Sequence, residues 1–254
     1  MLIAISVFFI ALVFSMFGMG GGLFFMPLFL LFFDSFKEAS TLSFLCILVT
    51  SFSAMITYHQ KKLIDWKLLG YLGIPLATSI FITGFLLKCA PVDFLKIVFG
   101  ITLFFAGILM SFPFYNYSSF SKIYNTFQRL DADKQYSASP IIVSPLALVI
   151  GLFAGMAGVA GGVFDIPLMV GILKVSAQVA VGTSSAIIVL AAFSGWIGRI
   201  VSHSLAFNFS AELLIVLLCA FLGAQIGPRI SLNLNKVVFK KICGIFIMNF
   251  HFEN

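Results

Sequence analysis

From Met1 to Phe33 the chain runs for 33 residues without a charged side chain, yet four glycines and a proline lie inside that run, in the order Phe17-Gly-Met-Gly-Gly-Gly-Leu-Phe-Phe-Met-Pro27. This combination constrains the fold more than any other feature. Lipid offers no water to satisfy backbone N–H and C=O groups, so an apolar run placed there is helical wherever protein does not shelter it. Glycine is a weak helix former, and proline lacks the N–H and fits only the first turn. The run is also too long for one straight span, which takes about 20 residues. The reading is a helix that stops near Gly18, a looped backbone, and a second short helix that begins near Pro27.

Composition places the whole chain in the same solvent. Of 254 residues 61% are hydrophobic and 9% charged, against about 25% charged in a soluble domain. The net charge is +6, but the basic residues fall at the ends of apolar runs, where Lys and Arg anchor helices at the headgroups. That reading leaves no role for nucleic acid. Cys46, Cys89, Cys219 and Cys243 are scattered, with neither metal-ligand spacing nor a disulfide framework, and are expected as buried free thiols. No metal site and no cofactor is expected. The N-terminus lacks a basic stretch ahead of its apolar run and is read as the first membrane segment rather than a signal peptide.

Stretches suited to spanning are Met1–Phe33, Ala39–Gln60, Leu68–Leu87, Ile97–Ser111, Ile141–Leu173 interrupted by Asp165, Val175–Gly198, Leu213–Pro228 and, weakest because Lys240 and Lys241 intrude, Val237–Phe250. A polar stretch, Pro113–Pro140, divides them. Within it Phe120, Ile123, Tyr124, Phe127 and Leu130 recur at helical spacing, so it is read either as a surface amphipathic helix or as a linker without one.

The stretches on either side are similar. Gly18, Gly21, Gly22, Phe24, Pro27 and Leu28 recur 140 residues later as Gly158, Gly161, Gly162, Phe164, Pro167 and Leu168, and Ser43 falls on Thr183 at the same offset. The expected architecture is an all-α integral membrane protein with about eight transmembrane helices. They form two four-helix repeats, residues 1–112 and 141–254, joined by a linker over 113–140, and each repeat begins with a broken helix. Because four is even, the repeats are expected to run parallel, related by an axis along the membrane normal. The basic residues divide evenly between the two sides and set no orientation.

Several stretches together resemble the TauE/SafE family of sulfite-exporter-like permeases: the Gly-x-Gly-Gly-Gly-x-x-x-x-Pro pattern and its second copy, AVGTSS at Ala180–Ser185, YHQKKLIDWKLL at Tyr58–Leu69, and FLGAQIGPRI at Phe221–Ile230. The resemblance covers nearly the whole chain. It implies a multi-pass transporter of the cell (plasma or inner) membrane that carries small anions, often sulfur-containing ones such as sulfite or sulfonates. The chain departs from the pattern in three ways. Its C-terminus stops short of the counterpart of the Leu109–Phe114 region, so that a shallow last helix or a truncated chain is expected. Ala160 replaces the glycine found at Gly20, and Asp165 stands where the first copy has Phe25.

Two broken helices at corresponding positions point to a transporter's substrate site, because glycine lets the backbone approach a ligand and a helix start favours an anion. The candidate substrate-binding residues are Gly18, Gly20, Gly21, Gly22 and Pro27 in the first break and Gly158, Gly161, Gly162 and Pro167 in the second. Thr183 and Ser184 join them, since their hydroxyls are suited either to an oxyanion or to helix packing. Thr50, Ser51, Ser53 and Gln225 carry the same two readings. Asp165 is the one acidic residue well inside an apolar segment, a costly place for it. Three roles stay open: a cap for the helix begun at Pro167, a coupling site for protons, and a selectivity element. Arg199, His203, His59 and Arg229 sit near helix ends, suited to snorkelling or to drawing an anion inward. The expected function is a secondary transporter of a small anion, such as sulfite, a sulfonate or a related oxyanion. The alternative is a passive anion channel. Nothing in the chain resembles a nucleotide-driven pump, and no catalytic cluster suggests an enzyme.

Overall fold

Ser35 and Glu38 begin the first long helix as a capping pair: the Ser35 hydroxyl accepts from the Glu38 N–H at 3.4 Å, satisfying one of the orphan donors of the first turn. That helix, α3, runs Phe36–Gln60. A tight turn with Lys62 in the left-handed region follows. Asp65 then starts α4, Trp66–Cys89, with its carboxylate accepting from Lys67 and Leu68. The computed structural model describes residues 2–33, 35–111, 127–131, 134–138, 140–173, 175–202 and 211–233. The other described helices are α1 (Leu2–Met16), α2 (Gly22–Leu30), α5 (Val92–Ser111), α6 (Pro140–Ala157), α7 (Gly162–Pro167), α8 (Ala177–Val201) and α9 (Ala211–Asn233). A π-helical turn, Leu168–Ile172, continues α7. Pro167 supplies no N–H there, and the pattern shifts, with the Leu173 N–H reaching back five residues to the Leu168 carbonyl. The expected last span, Val237–Phe250, lies outside the described residues.

In the polar stretch, β1 (Phe127–Asp131) pairs antiparallel with β2 (Lys134–Ala138). Phe127 and Leu130, read at helical spacing, therefore sit in a strand; the rest of that spacing lies outside the described residues.

Helices α3 and α8 form the centre, with α4 against α8 and α9 against α3. Around an apolar core that includes Phe44, Leu72 and Ile187, the burial pattern departs from that of a soluble protein. Hydroxyls are inside: Ser40, Ser43, Thr50, Ser53, Thr83, Thr183 and Ser184 are fully buried. Large apolar side chains are outside, among them Phe104 at 67% exposed and Leu218 at 62%. Outward apolar faces of this kind need a lipid solvent. Among the described residues four helices are long and apolar enough to cross a membrane: Phe36–Gln60, Trp66–Cys89, Ala177–Val201 and Leu213–Asn233. Cys46 is buried as expected, but Cys89 is exposed at the end of α4.

The helix directions overturn the parallel expectation. Ser40 meets Arg199 and Phe44 meets Gly195, so α3 and its counterpart α8 run antiparallel. Gly223 packs on Phe8 and Ala11, and Gly227 on Leu12 and Ser15, so α1 and α9 run parallel. Their counterparts pair likewise: Gly151 packs on Leu76 and Ser79, and Gly155 on Thr83, making α6 parallel to α4. Corresponding helices thus point in opposite directions. The cause lies in the Met1–Phe33 run. Helix α1 ends beside the far end of α3, where the Tyr58 hydroxyl donates to the Ser15 and Met16 carbonyls at 3.2 and 3.0 Å. Helix α2 leads back to the near end, where α3 begins. What reads as one span with a defect is an outward helix and a returning one, and counting it once gives the wrong parity.

Candidate functional site

The two breaks are built alike. After α1, Gly18, Gly20 and Gly21 take φ of 66°, 68° and 78°; after α6, Gly158, Ala160 and Gly161 take 79°, 56° and 82°. Successive left-handed residues of this kind are cheap only for glycine. Gly21 and Gly161 are the N-caps of α2 and α7, and neither helix has a side-chain cap. The Phe24 and Phe25 N–H groups share the Gly21 carbonyl, as those of Phe164 and Asp165 share that of Gly161. Helix α2 therefore starts at Gly22, and Pro27 lies inside it rather than at its start. Pro167 likewise closes α7 instead of opening a helix. The glycines, not the prolines, set the helix starts.

The breaks meet each other. A methyl group on Gly22 would stand 2.7 Å from the Val159 carbonyl oxygen, and one on Gly162 would stand 2.9 Å from that of Met19. Gly22 also abuts Ile47, halfway along α3, and Gly162 abuts Ile188, halfway along α8. The contact is reciprocal and lies at mid-depth of the two central helices. It is fastened from both sides by matching hydrogen bonds of 2.9 Å, from the Ser43 hydroxyl to the Gly158 carbonyl and from the Ser184 hydroxyl to the Gly18 carbonyl. Each long helix thus holds the break that belongs to the other half. The functional counterpart of Ser43 is Ser184, one residue beyond the Thr183 that the offset suggests.

Gly18, Gly20, Gly21, Gly22, Gly158, Gly161, Gly162 and Ser184 are thereby brought together. Thr183 is placed differently, with its hydroxyl oxygen accepting from the Asp65 N–H at 3.0 Å and tying α8 to the α3–α4 turn. Thr50 bonds back to Cys46 and Ser53 bonds to Phe221. The amide of Gln225 reaches Ser53 at 3.5 Å. Ser51 is buried, and its hydroxyl has no hydrogen-bond partner. It faces Gly20, where an added methyl would come within 2.8 Å of the oxygen.

Asp165 is fully buried, and neither carboxylate oxygen has a hydrogen-bond partner. It lies inside α7, not ahead of a helix, and Gly161 occupies the cap position. The capping role is therefore excluded, because a cap must stand before the first turn and accept from it. Arg199 differs from its snorkelling reading as well, since it is fully buried. Its Nη1 donates to the Gly195 carbonyl at 2.9 Å, and its Nη2 donates to the Ser40 hydroxyl at 2.8 Å and to the Gly155 carbonyl at 3.1 Å. His59 and Arg229 are exposed, and His203 lies outside the described residues. The contacts of Ser40, Ser43 and Tyr58 are ones that sequence reasoning missed: a hydroxyl in an apolar helix carries no mark of a partner that lies from about forty to well over a hundred residues away.

Two relatives resemble the chain along most of its length. A probable membrane transporter protein of Methanocaldococcus jannaschii, MJ0441, is 25% identical over 261 residues, covering 96% of this chain and 92% of the relative. The probable membrane transporter protein YunE of Bacillus subtilis is 25% identical over 251 residues, covering 92% and 89%. No solved structure matches. The family model described as "Sulfite exporter TauE/SafE" matches residues 3–249, and with its apolar outward helices this multi-pass membrane transporter belongs to that family.

Proposed function

We propose that the protein is a secondary transporter of a small oxyanion, with sulfite, a sulfonate or a related organic oxyanion as its cargo, acting in the cell membrane by alternating access. The observation that carries this reading is the reciprocal meeting of the two breaks halfway along α3 and α8. Broken helices at matched positions would bring two helix starts to the middle of the membrane, where an anion is otherwise costly to hold. The halves 1–112 and 141–254 act as the two moving units. Inverted pairing of counterpart helices suits such a device, because exchanging the conformations of two inverted halves turns an outward-open form into an inward-open one. Close packing of the breaks favours a carrier that opens one side at a time over a continuous pore. Asp165, buried and without a donor, is the coupling candidate, the carboxyl group through which a proton or other cation would link to anion movement.

Purified protein in proteoliposomes tests this reading. Uptake of sulfite, sulfonates and carboxylates is expected to saturate and to respond to an imposed proton gradient. Asp165→Asn is expected to keep anion exchange but lose the gradient response. Transport of none of these anions above that of empty vesicles overturns the anion-carrier reading, and an undiminished gradient response in Asp165→Asn removes the coupling role.

A further inference from the structure

We propose that Arg199 is an anion-capture residue beside the start of the second break, a second function beyond fastening α6. The inference rests on the oxyanion reading above and assigns the residue that would receive the anion. Arg199 is fully buried, yet all its hydrogen-bond acceptors are neutral: the Gly195 and Gly155 carbonyls and the Ser40 hydroxyl. Its guanidinium carbon lies 4.0 Å over the Phe44 ring. Its Nε–H has no acceptor. Among the described residues no carboxylate pairs with it. A buried cation without a counter-charge is costly to hold, and the carbonyl end of α6 offsets only part of that cost.

The first half supplies an internal control. Tyr58 occupies the corresponding place on α3 and does the same fastening, donating to the last carbonyls of α1, Ser15 and Met16. It does so with a neutral hydroxyl. Holding the helix ahead of a break therefore needs no charge, and the charge of Arg199 is left for another task. Its surroundings indicate which. The Ser40 oxygen that receives Nη2 also faces Gly158, where an added methyl would approach it to 3.0 Å. The guanidinium thus stands beside the first residue of the second break, with a planar fork of donors matched to two oxygens of an oxyanion. An anion arriving there meets the free Nε–H and takes over donors now spent on carbonyls, which loosens α6 from α8. The neutral Tyr58 end has no such response, so the two ends of the protein differ in anion affinity.

The test compares Arg199→Lys, Arg199→Gln and Tyr58→Phe in full-length protein reconstituted in vesicles, with sulfite and sulfate as probes. Because losing charge-assisted, two-pronged contacts weakens binding by about ten- to hundredfold, Arg199→Lys is expected to raise the KM for the transported probe by at least about tenfold with a smaller change in maximal rate. Tyr58→Phe is expected to leave KM within about twofold, since a neutral hydroxyl gives an anion little. Thermal stabilisation of the detergent-solubilised protein by the same probe is a second readout, expected in wild type and lost in Arg199→Lys, and it stands even where Arg199→Gln fails to fold. A wild-type KM in Arg199→Lys, or an equal rise in KM in Tyr58→Phe, reduces Arg199 to a fastener and overturns the proposal while leaving the anion reading intact. Absence of probe transport in the wild type overturns both.

Discussion

Ala160 takes a φ of 56° at the position where the first break has Gly20. A left-handed conformation costs an L-residue about 1–2 kcal/mol, and the extra unfolded-state freedom of glycine offsets about 0.4–1 kcal/mol of any relief. Ala160→Gly is therefore expected to be neutral or to stabilise by up to about 1.6 kcal/mol. Gly162→Ala is the opposite case. Its methyl would stand 2.9 Å from the Met19 carbonyl and against Ile188, an overpacking that costs about 1–3 kcal/mol. Thermal unfolding of the two purified variants checks both signs, and a stabilised Gly162→Ala would contradict the close meeting of the breaks. The asymmetry of single residues runs further. The second half carries the buried Asp165 and Arg199, where the first has Phe25 and Tyr58, so at these positions two otherwise similar frames differ in charge.

At the scale of elements, the breaks are held by backbone and by two serines. Each of the hydrogen bonds from Ser43 to Gly158 and from Ser184 to Gly18 is worth about 0.5–1.5 kcal/mol. Ser43→Ala and Ser184→Ala share no partner, so their effects on stability are expected to add within about 0.5 kcal/mol. A larger coupling in the double-mutant cycle would mean that the breaks shift as one element. The existence and position of both breaks were legible in the sequence, because consecutive left-handed residues demand glycine and glycine is visible. Where the helices restart was not. Pro27 and Pro167 are the conspicuous signals, but the left-handed Gly21 and Gly161 end the loop first, and each proline is carried inside or at the end of the helix that follows. The depth of Arg199 was hidden for a related reason: its distance from the end of α8 in sequence suits an interfacial residue, and only the packing of α3 and α6 over it decides its burial.

At the scale of the molecule, apolar runs were enough to locate the long helices but not their directions. Parity depends on whether a run crosses once or turns back, and hydrophobicity does not record a turn. The antiparallel pairing of α3 with α8 makes a topological prediction. The α3–α4 turn and the start of α8 lie at the same end of the molecule, so Lys61→Cys and Ser176→Cys in a cysteine-free background are expected to react with a membrane-impermeant maleimide from the same face. Labelling from opposite faces would restore the parallel arrangement. The exchange of partners across the halves, α1 against α9 and α6 against α4, also bears on how the chain is made. Synthesis proceeds from the N-terminus, so α1 and α3 are inserted before the helices that cover them exist. The hydroxyl-lined face of α3 and the small-residue contacts of α1 wait in the bilayer until α8 and α9 leave the ribosome, and only the last part of the chain closes the core around the first.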